Sequence, residues 1–170
     1  MKQYLYRLWQ WVYKGIPVQK INAAISMIDA SQVLCGKKIL ITGGSKGIGY
    51  QIAKRYIAEG AEVVIVGRNE ETLSHTAQEL GCQHIAYNLT NIQELPSLIK
   101  QSADLLGGLN GLVNNAGVCN IDDGFLKVTE KSYDEQFILN VKSPFFLTQA
   151  FVQYCVDHNV ESAGIVFITS

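Results

Sequence analysis

Apolar positions along the chain alternate between two rhythms. Ile39, Leu40 and Ile41 form a short unbroken run, as do Val63 to Val66 and Ile165 to Ile168. Runs of this length suit strands covered on both faces of a parallel sheet. His84 to Asn88 and Leu112-Val113-Asn114 add a third and a fourth strand, and the fifth spans Gly164 to Ser170. Between the runs the spacing becomes helical. Ile48, Ile52, Ala53, Tyr56 and Ile57 recur on one face and stop at Gly60. Asn69 is placed to cap a helix through Leu80, and Thr90 or Asn91 to cap one carrying Leu95, Leu98, Ile99 and Leu105, with Pro96 tolerated in its first turns. Thr129-Glu130-Lys131-Ser132 opens a long helix through about His158. Strands alternating with helices predict βαβ units with right-handed crossovers, hence an α/β, doubly wound parallel sheet.

Residues 1–37 precede this pattern and differ from it. Tyr4, Tyr6, Trp9, Trp11 and Tyr13 crowd together with Lys2, Arg7, Lys14 and Lys20, and no acid appears before Asp29. Gln3, Arg7, Gln10 and Lys14 form a polar stripe opposite Leu5, Leu8, Trp9 and Val12, which predicts a short amphipathic helix ended by Gly15-Ile16-Pro17. Such a segment suits either an anionic membrane surface or packing on the domain or a partner subunit. It lacks the apolar stretch and small-residue cleavage site of a secretory signal. The chain therefore divides into an aromatic and basic N-terminal extension, residues 1–37, and a domain over residues 38–170.

Composition narrows the function classes. A 170-residue chain with 48% hydrophobic residues and 17% charged ones can bury a core. Its 14 Lys and Arg nearly balance 15 Asp and Glu, so no global field gathers a nucleic acid. Cys35, Cys82, Cys119 and Cys155 show neither Cys-x-x-Cys nor metal-ligand spacing, and are read as buried, reduced thiols of a cytoplasmic protein. No metal site is expected. Asn88-Leu89-Thr90 matches the glycosylation triplet, which carries no weight without a signal peptide. No apolar run reaches membrane-spanning length.

The candidate chemistry starts at Thr42-Gly43-Gly44-Ser45-Lys46-Gly47-Ile48-Gly49, placed between the first strand and its helix. Glycines there let an anionic pyrophosphate approach the free N–H groups of the first helical turn. At the end of the second strand, where an acidic residue would grip the ribose 2′-hydroxyl of NAD, the chain has Gly67 and Arg68. A guanidinium can hold a 2′-phosphate bidentately, and Lys46 adds a second positive charge.

Four motifs in order resemble the short-chain dehydrogenase/reductase family from Lys37 to Ser170. The glycine turn resembles its Thr-Gly-x-x-x-Gly-x-Gly motif, and Asn114-Asn115-Ala116-Gly117 its Asn-Asn-Ala-Gly. Asn140 stands where the family keeps an active-site asparagine, and Ser170 closes a strand of the kind that ends in its catalytic serine. The resemblance implies a Rossmann-type sheet, incomplete at its C-terminal side. It implies cofactor binding by Gly43, Ser45, Lys46, Gly47, Ile48, Gly49, Arg68, Asn88, Leu89, Asn115, Ala116 and Gly117, with Asn88 near the adenine where the family commonly has Asp. Lys46 and Arg68 are similar to the NADP-preferring members, so NADP is expected over NAD.

In the family a tyrosine, assisted by a lysine four residues on, moves the hydroxyl proton, the serine orients the substrate oxygen and the asparagine holds a relay water. Asn140 and Ser170 are the catalytic candidates here; the tyrosine and lysine would follow Ser170. Tyr50 and Lys54 have the Tyr-x-x-x-Lys spacing but lie on the helix after the phosphate turn. His75, His84 and His158 show no relay or metal spacing. The expected function is the cofactor-binding portion of an NADP(H)-dependent oxidoreductase interconverting a small-molecule carbonyl and a secondary alcohol, inactive at this length and homo-oligomeric in full-length form. The rival reading is a non-catalytic dinucleotide-binding or regulatory module docked to a membrane or partner through residues 1–20.

Overall fold

A computed structural model describes residues 32–119 and 124–169. The expectations for the N-terminal extension, its helix and its membrane or partner contact lie outside the described residues, as does Ser170.

Five strands form one parallel sheet: β1 (Lys38–Thr42), β2 (Glu62–Gly67), β3 (Gln83–Ala86), β4 (Gly111–Asn114) and β5 (Gly164–Phe167), in the order β3-β2-β1-β4-β5. Leu40 lies level with Val64 on one side and Leu112 on the other. Because side chains alternate across a strand, the apolar runs divide between two cores. Leu40, Val64, Val66, Ile85 and Leu112 pack one face against α3 (Leu95–Leu106) and α5 (Ser143–Asp157), through Leu98, Ile99, Leu147 and Phe151. Ile39, Ile41, Val63, Ile65 and Val113 pack the other against α1 (Gly47–Ala58) and α2 (Glu70–Leu80), through Ala53, Leu73 and Ala77. A run with no polar interruption is thus the signature of a strand with helices on both sides.

Local signals explain the helix ends. Asn69 Oδ1 accepts from the Thr72 N–H at 2.8 Å, and Glu70 and Glu71 favour the same helix start. Gly81 and Gly107, at φ of 68° and 65°, end α2 and α3 in the left-handed conformation. Ahead of α3 the expected cap is corrected. A tight turn at Ile92–Glu94 leads into Leu95, with Pro96 in the first turn, and neither Thr90 nor Asn91 supplies a side-chain cap. Thr90 instead donates through its N–H and Oγ1 to Asn88 Oδ1. The third strand also ends early, at Ala86 rather than Asn88, although the Tyr87 N–H still reaches the Gly67 carbonyl at 2.7 Å.

The long helix begins where expected, with Thr129 Oγ1 accepting from the Ser132 N–H at 3.1 Å, but it is not uniform. Helix α4 (Glu130–Phe137) passes into one wide turn, Ile138–Lys142, in which the Ser143 N–H and hydroxyl both return to the Ile138 carbonyl. Regular helix resumes as α5. The reading of all four cysteines as buried is also corrected: Cys35 and Cys119 are exposed, and Cys82 and Cys155 are half-buried. Burial pushes the Cys82 thiol up to about 11 and raises that of Cys155 as well, which keeps both protonated at neutral pH. At the sheet edge, Ile165, Val166 and Phe167 are 39–52% exposed.

Phe151 is wholly buried between α5 and the sheet. Phe151→Ala is expected to lower unfolding free energy by about 3–5 kcal/mol in urea denaturation; a loss below about 1 kcal/mol would show that α5 does not pack as described.

Candidate functional site

The sheet changes direction between β1 and β4. The chain runs from β1 outward to β2 and β3, then crosses back to place β4 on the other side of β1. The loops after these two strands therefore diverge and leave a crevice at the carboxyl ends, the general ligand position in such sheets.

Two residues stitch the crevice floor. Thr42 Oγ1 donates to the Val113 carbonyl at 3.2 Å and accepts from the N–H groups of Asn115 and Ala116 at 2.9 and 3.0 Å. The Asn115 amide in return donates to the carbonyls of Thr42 and Gly43 at 2.9 and 3.1 Å. Asn114 Nδ2 donates to Thr148 Oγ1 at 3.0 Å, which ties β4 to α5.

Above this floor the chain turns through Gly43 at φ 66° and Gly47 at φ 58° into α1. A Cβ on Gly47 would meet nothing within 4 Å, so its conformation rather than crowding calls for glycine there. Lys46, the residue before α1, is extended and makes no side-chain cap, and the first turn holds no acid. Its N–H groups are left to a ligand, with the positive end of the helix dipole behind them. The turn itself is held from outside by Thr76 Oγ1, which donates to the Ser45 carbonyl at 3.2 Å.

A cleft of about 430 Å³ follows. Gly43, Ser45, Lys46, Gly47 and Ile48 line it from the turn, Arg68 from the end of β2, Leu89 from beyond β3, and Asn115, Ala116 and Gly117 from the loop after β4. Every cofactor-binding residue expected from the sequence is thus present except Gly49 and Asn88. Among the described residues no carboxylate lines the cleft, and neither Lys46 nor Arg68 is paired with one. A larger groove, about 980 Å³, runs between α3 and α5 and contains none of the expected residues.

The family model for short chain dehydrogenases matches residues 37–170. The chain belongs to the short-chain dehydrogenase family. It is 37% identical over 120 residues to a sorbitol dehydrogenase of Cereibacter sphaeroides and 31% identical over 119 residues to a galactitol 2-dehydrogenase of Agrobacterium fabrum. Each match takes in 69% of this chain and 46% of the relative, so the chain spans about half the length of the curated relatives it matches. A crystal structure of a short-chain type dehydrogenase/reductase from Mycobacterium marinum superposes with a TM-score of 0.78 at 28% identity, covering 86% of this chain and 60% of that one. One of a short chain dehydrogenase from Mycobacterium smegmatis gives 0.75 at 30% identity, covering 85% and 62%.

Membership in the short-chain dehydrogenase family makes the remaining placements informative. Gly49 is buried beneath the turn, where a Cβ would collide with the Gly43 carbonyl and the Asn115 amide. It admits the stitch to α1 and takes no place on the cleft wall. Asn88 stands on the rim between two lining residues. Asn140 lies in the wide turn, and both ends of its amide grip one residue: Oδ1 accepts from the Val118 N–H at 2.9 Å and Nδ2 donates to the Val118 carbonyl at 2.7 Å. Val118 and Leu139, together with Gly67 and Tyr87, line the cleft without having been singled out in the sequence. Position beside Asn88 was the available signal for Tyr87, and position beside Asn140 that for Leu139.

Tyr50 and Lys54 stay out of the cleft. The Tyr50 hydroxyl donates to Glu79 Oε1 on α2, and that bond raises the phenol above its ordinary pKa, the wrong direction for a proton-accepting tyrosine. Lys54 Nζ sits 5.9 Å from the ring centroid of Tyr50. His84 Nε2 meets Glu70 at 3.0 Å and His158 Nδ1 the Tyr154 carbonyl at 2.9 Å. Among the described residues no three His, Cys, Asp or Glu side chains form a group able to hold a metal, and no helix is long and apolar enough to cross a membrane.

Thr42→Val keeps the side-chain shape but removes the acceptor for two N–H groups. It is expected to cost about 2–3 kcal/mol in urea unfolding, whereas Thr42→Ser, which keeps the hydroxyl, should cost under about 1 kcal/mol. Equal losses for the two variants would show that the hydroxyl does not stitch the strands.

Proposed function

We propose that this chain binds NADP(H) in the cleft and forms the cofactor-binding part of an oxidoreductase that interconverts a carbonyl and a secondary alcohol. The observation that carries this reading is the convergence of Lys46 and Arg68 on a cleft with no carboxylate among the described residues of its wall. A dinucleotide fits the chemistry of the donor set. Open N–H groups at the start of α1 suit the pyrophosphate, and the Gly47 position leaves it room. Arg68, at the end of the second strand, supplies the planar fork for a ribose 2′-phosphate, with Lys46 as a point charge beside it. An Asp at that place would instead repel the phosphate.

The nicotinamide group supplies hydride transfer when bound. The protein's part is to hold and orient it and to manage the hydroxyl proton. Asn115, Ala116 and Gly117 form the wall on the β4 side of the cleft. Asn140 acts by position: its amide is committed to Val118 and clasps the loop after β4 to the wide turn. Ser170 is assigned to orient the substrate oxygen on the strength of the family resemblance. Within these 170 residues the Tyr-x-x-x-Lys spacing occurs at Tyr50 and Lys54, whose hydroxyl is taken by Glu79. A polypeptide of this sequence alone is therefore proposed to bind nucleotide without turning over alcohols or ketones. The relatives named for sorbitol and galactitol suggest that a polyol and its keto form are the first substrates to try on any longer form of the protein.

Calorimetric titration tests the reading. NADPH should bind at least about tenfold more tightly than NADH, and Arg68→Ala should remove that margin while leaving NADH affinity unchanged, since a charge-assisted phosphate contact contributes about 1.5–3 kcal/mol. Equal or tighter binding of NADH by the unaltered chain would sink the assignment of Arg68.

A further inference from the structure

Main-chain bonds hold the two ends of the glycine turn. The Gly43 N–H donates to the Val66 carbonyl at 2.7 Å, and the Lys46 carbonyl accepts from the Tyr50 N–H of α1 at 3.3 Å. Between them the hold comes from a side chain of another element: the Ser45 carbonyl accepts from Thr76 Oγ1 on α2 at 3.2 Å. Thr76 is only 5% exposed, so this bond is shielded from water. A helical threonine can satisfy its hydroxyl on a carbonyl of its own preceding turn. This one reaches instead to a residue 31 positions away.

The bond fixes a peptide plane. The Ser45 carbonyl and the Lys46 N–H are the two ends of one trans peptide and point in opposite directions. Drawing the carbonyl towards α2 turns the Lys46 N–H away from α2 and sets the plane from which the Lys46 side chain leaves. Ser45 and Lys46 both line the cleft, and among the described residues the Lys46 N–H has no acceptor. Crowding does not hold the next residue either, since a Cβ on Gly47 would meet nothing within 4 Å.

The same helix registers the second cation. Asn69 caps α2, and Arg68 is the residue just before that cap. Thr76 thus ties the Lys46 peptide to the element whose start positions Arg68. Three residues further along α2, Glu79 accepts from the Tyr50 hydroxyl of α1, and residues three apart share a helix face. That face of α2 therefore carries two bonds: Glu79 seats α1, and Thr76 sets the turn ahead of it.

We propose that Thr76 is a positioning residue for nucleotide choice: its hydroxyl keeps Lys46 in register with Arg68, and the preference for a 2′-phosphorylated dinucleotide depends on that register. The inference rests on the NADP(H) reading above and adds to it a residue outside the cleft. Without the hydroxyl, the peptide between Ser45 and Lys46 is free to turn, and a charge that must be ordered on binding contributes less than one already in place.

The test measures NADPH and NADH affinities of the 170-residue chain by calorimetry and takes their ratio, in which a stability loss common to both ligands cancels. Thr76→Val keeps the side-chain shape and removes the donor; it should lower the NADPH preference by about three- to tenfold. Thr76→Ala should give the same fall, and Thr76→Ser, which keeps the donor, should restore most of the preference. In a Lys46→Ala background Thr76→Val should leave the ratio unchanged, because the residue through which it acts is gone. An unchanged ratio in both Thr76→Val and Thr76→Ala, or the same fall with and without Lys46, would overturn the role of Thr76; NADPH preference in the unaltered chain would then keep the cofactor reading intact. Absence of that preference in the unaltered chain would overturn the NADP(H) reading and the role of Thr76 with it.

Discussion

The Thr42 hydroxyl sits where β1 and β4 part, and it is shared by the Val113 carbonyl and two N–H groups of the following loop. Parallel strands are ordinarily joined only by their ladders, which end where the strands end. Past that point the two loops would be independent. One hydroxyl with one proton and two lone pairs, answered by the Asn115 amide, carries the order of the sheet a step into the crevice. The glycine turn, the start of α1 and the wall formed by Ala116 and Gly117 all take their positions from this exchange. Gly49 belongs to it too, because the stitch lies against α1 where any side chain would intrude.

Electrostatics complete what that constraint positions. The first turn of α1 has neither a capping side chain nor an acid, and the two cations beside it have no acidic partner among the described residues of the cleft wall. Some charges elsewhere are paired locally, as with Lys100 and Asp104 or Arg55 and Glu59. Such exposed pairs contribute little to stability. Among the described residues, Lys46 and Arg68 stand beside the open backbone without an acidic partner in the cleft wall.

Much of the sheet was legible in the sequence because burial on both faces writes itself as an unbroken apolar run; Leu40, Val64 and Leu112 are each read correctly from that pattern. The cleft residues were legible for a different reason. Glycines, Arg68 and the Asn-Asn-Ala-Gly loop occur at fixed offsets from strand ends, and a strand end is easily located. What was missed depends on contacts between distant positions. Nothing near Ile138 announces a wide turn, from which Asn140 reaches Val118 across 22 residues. Asn91 looks like a cap, but Thr90 is drawn back to Asn88 and a tight turn intervenes before α3. Cys35 and Cys119 have the residue type of the interior and the exposure of loops. In each case the local preference was real and a neighbour in space outweighed it.

That wide turn also sets a phase. Accommodating one more residue than a regular turn holds rotates everything after it by about 100° about the helix axis relative to everything before. The face that α5 lays on the sheet through Leu147 and Phe151 is thereby decoupled from the face α4 shows upstream. Straightening the helix would do two things at once: it would unclasp the loop after β4 and swing the packed stripe of α5 out of register with Leu112. The catalytic asparagine of the family resemblance and the hydrophobic seating of this helix are, in this chain, a single mechanical element.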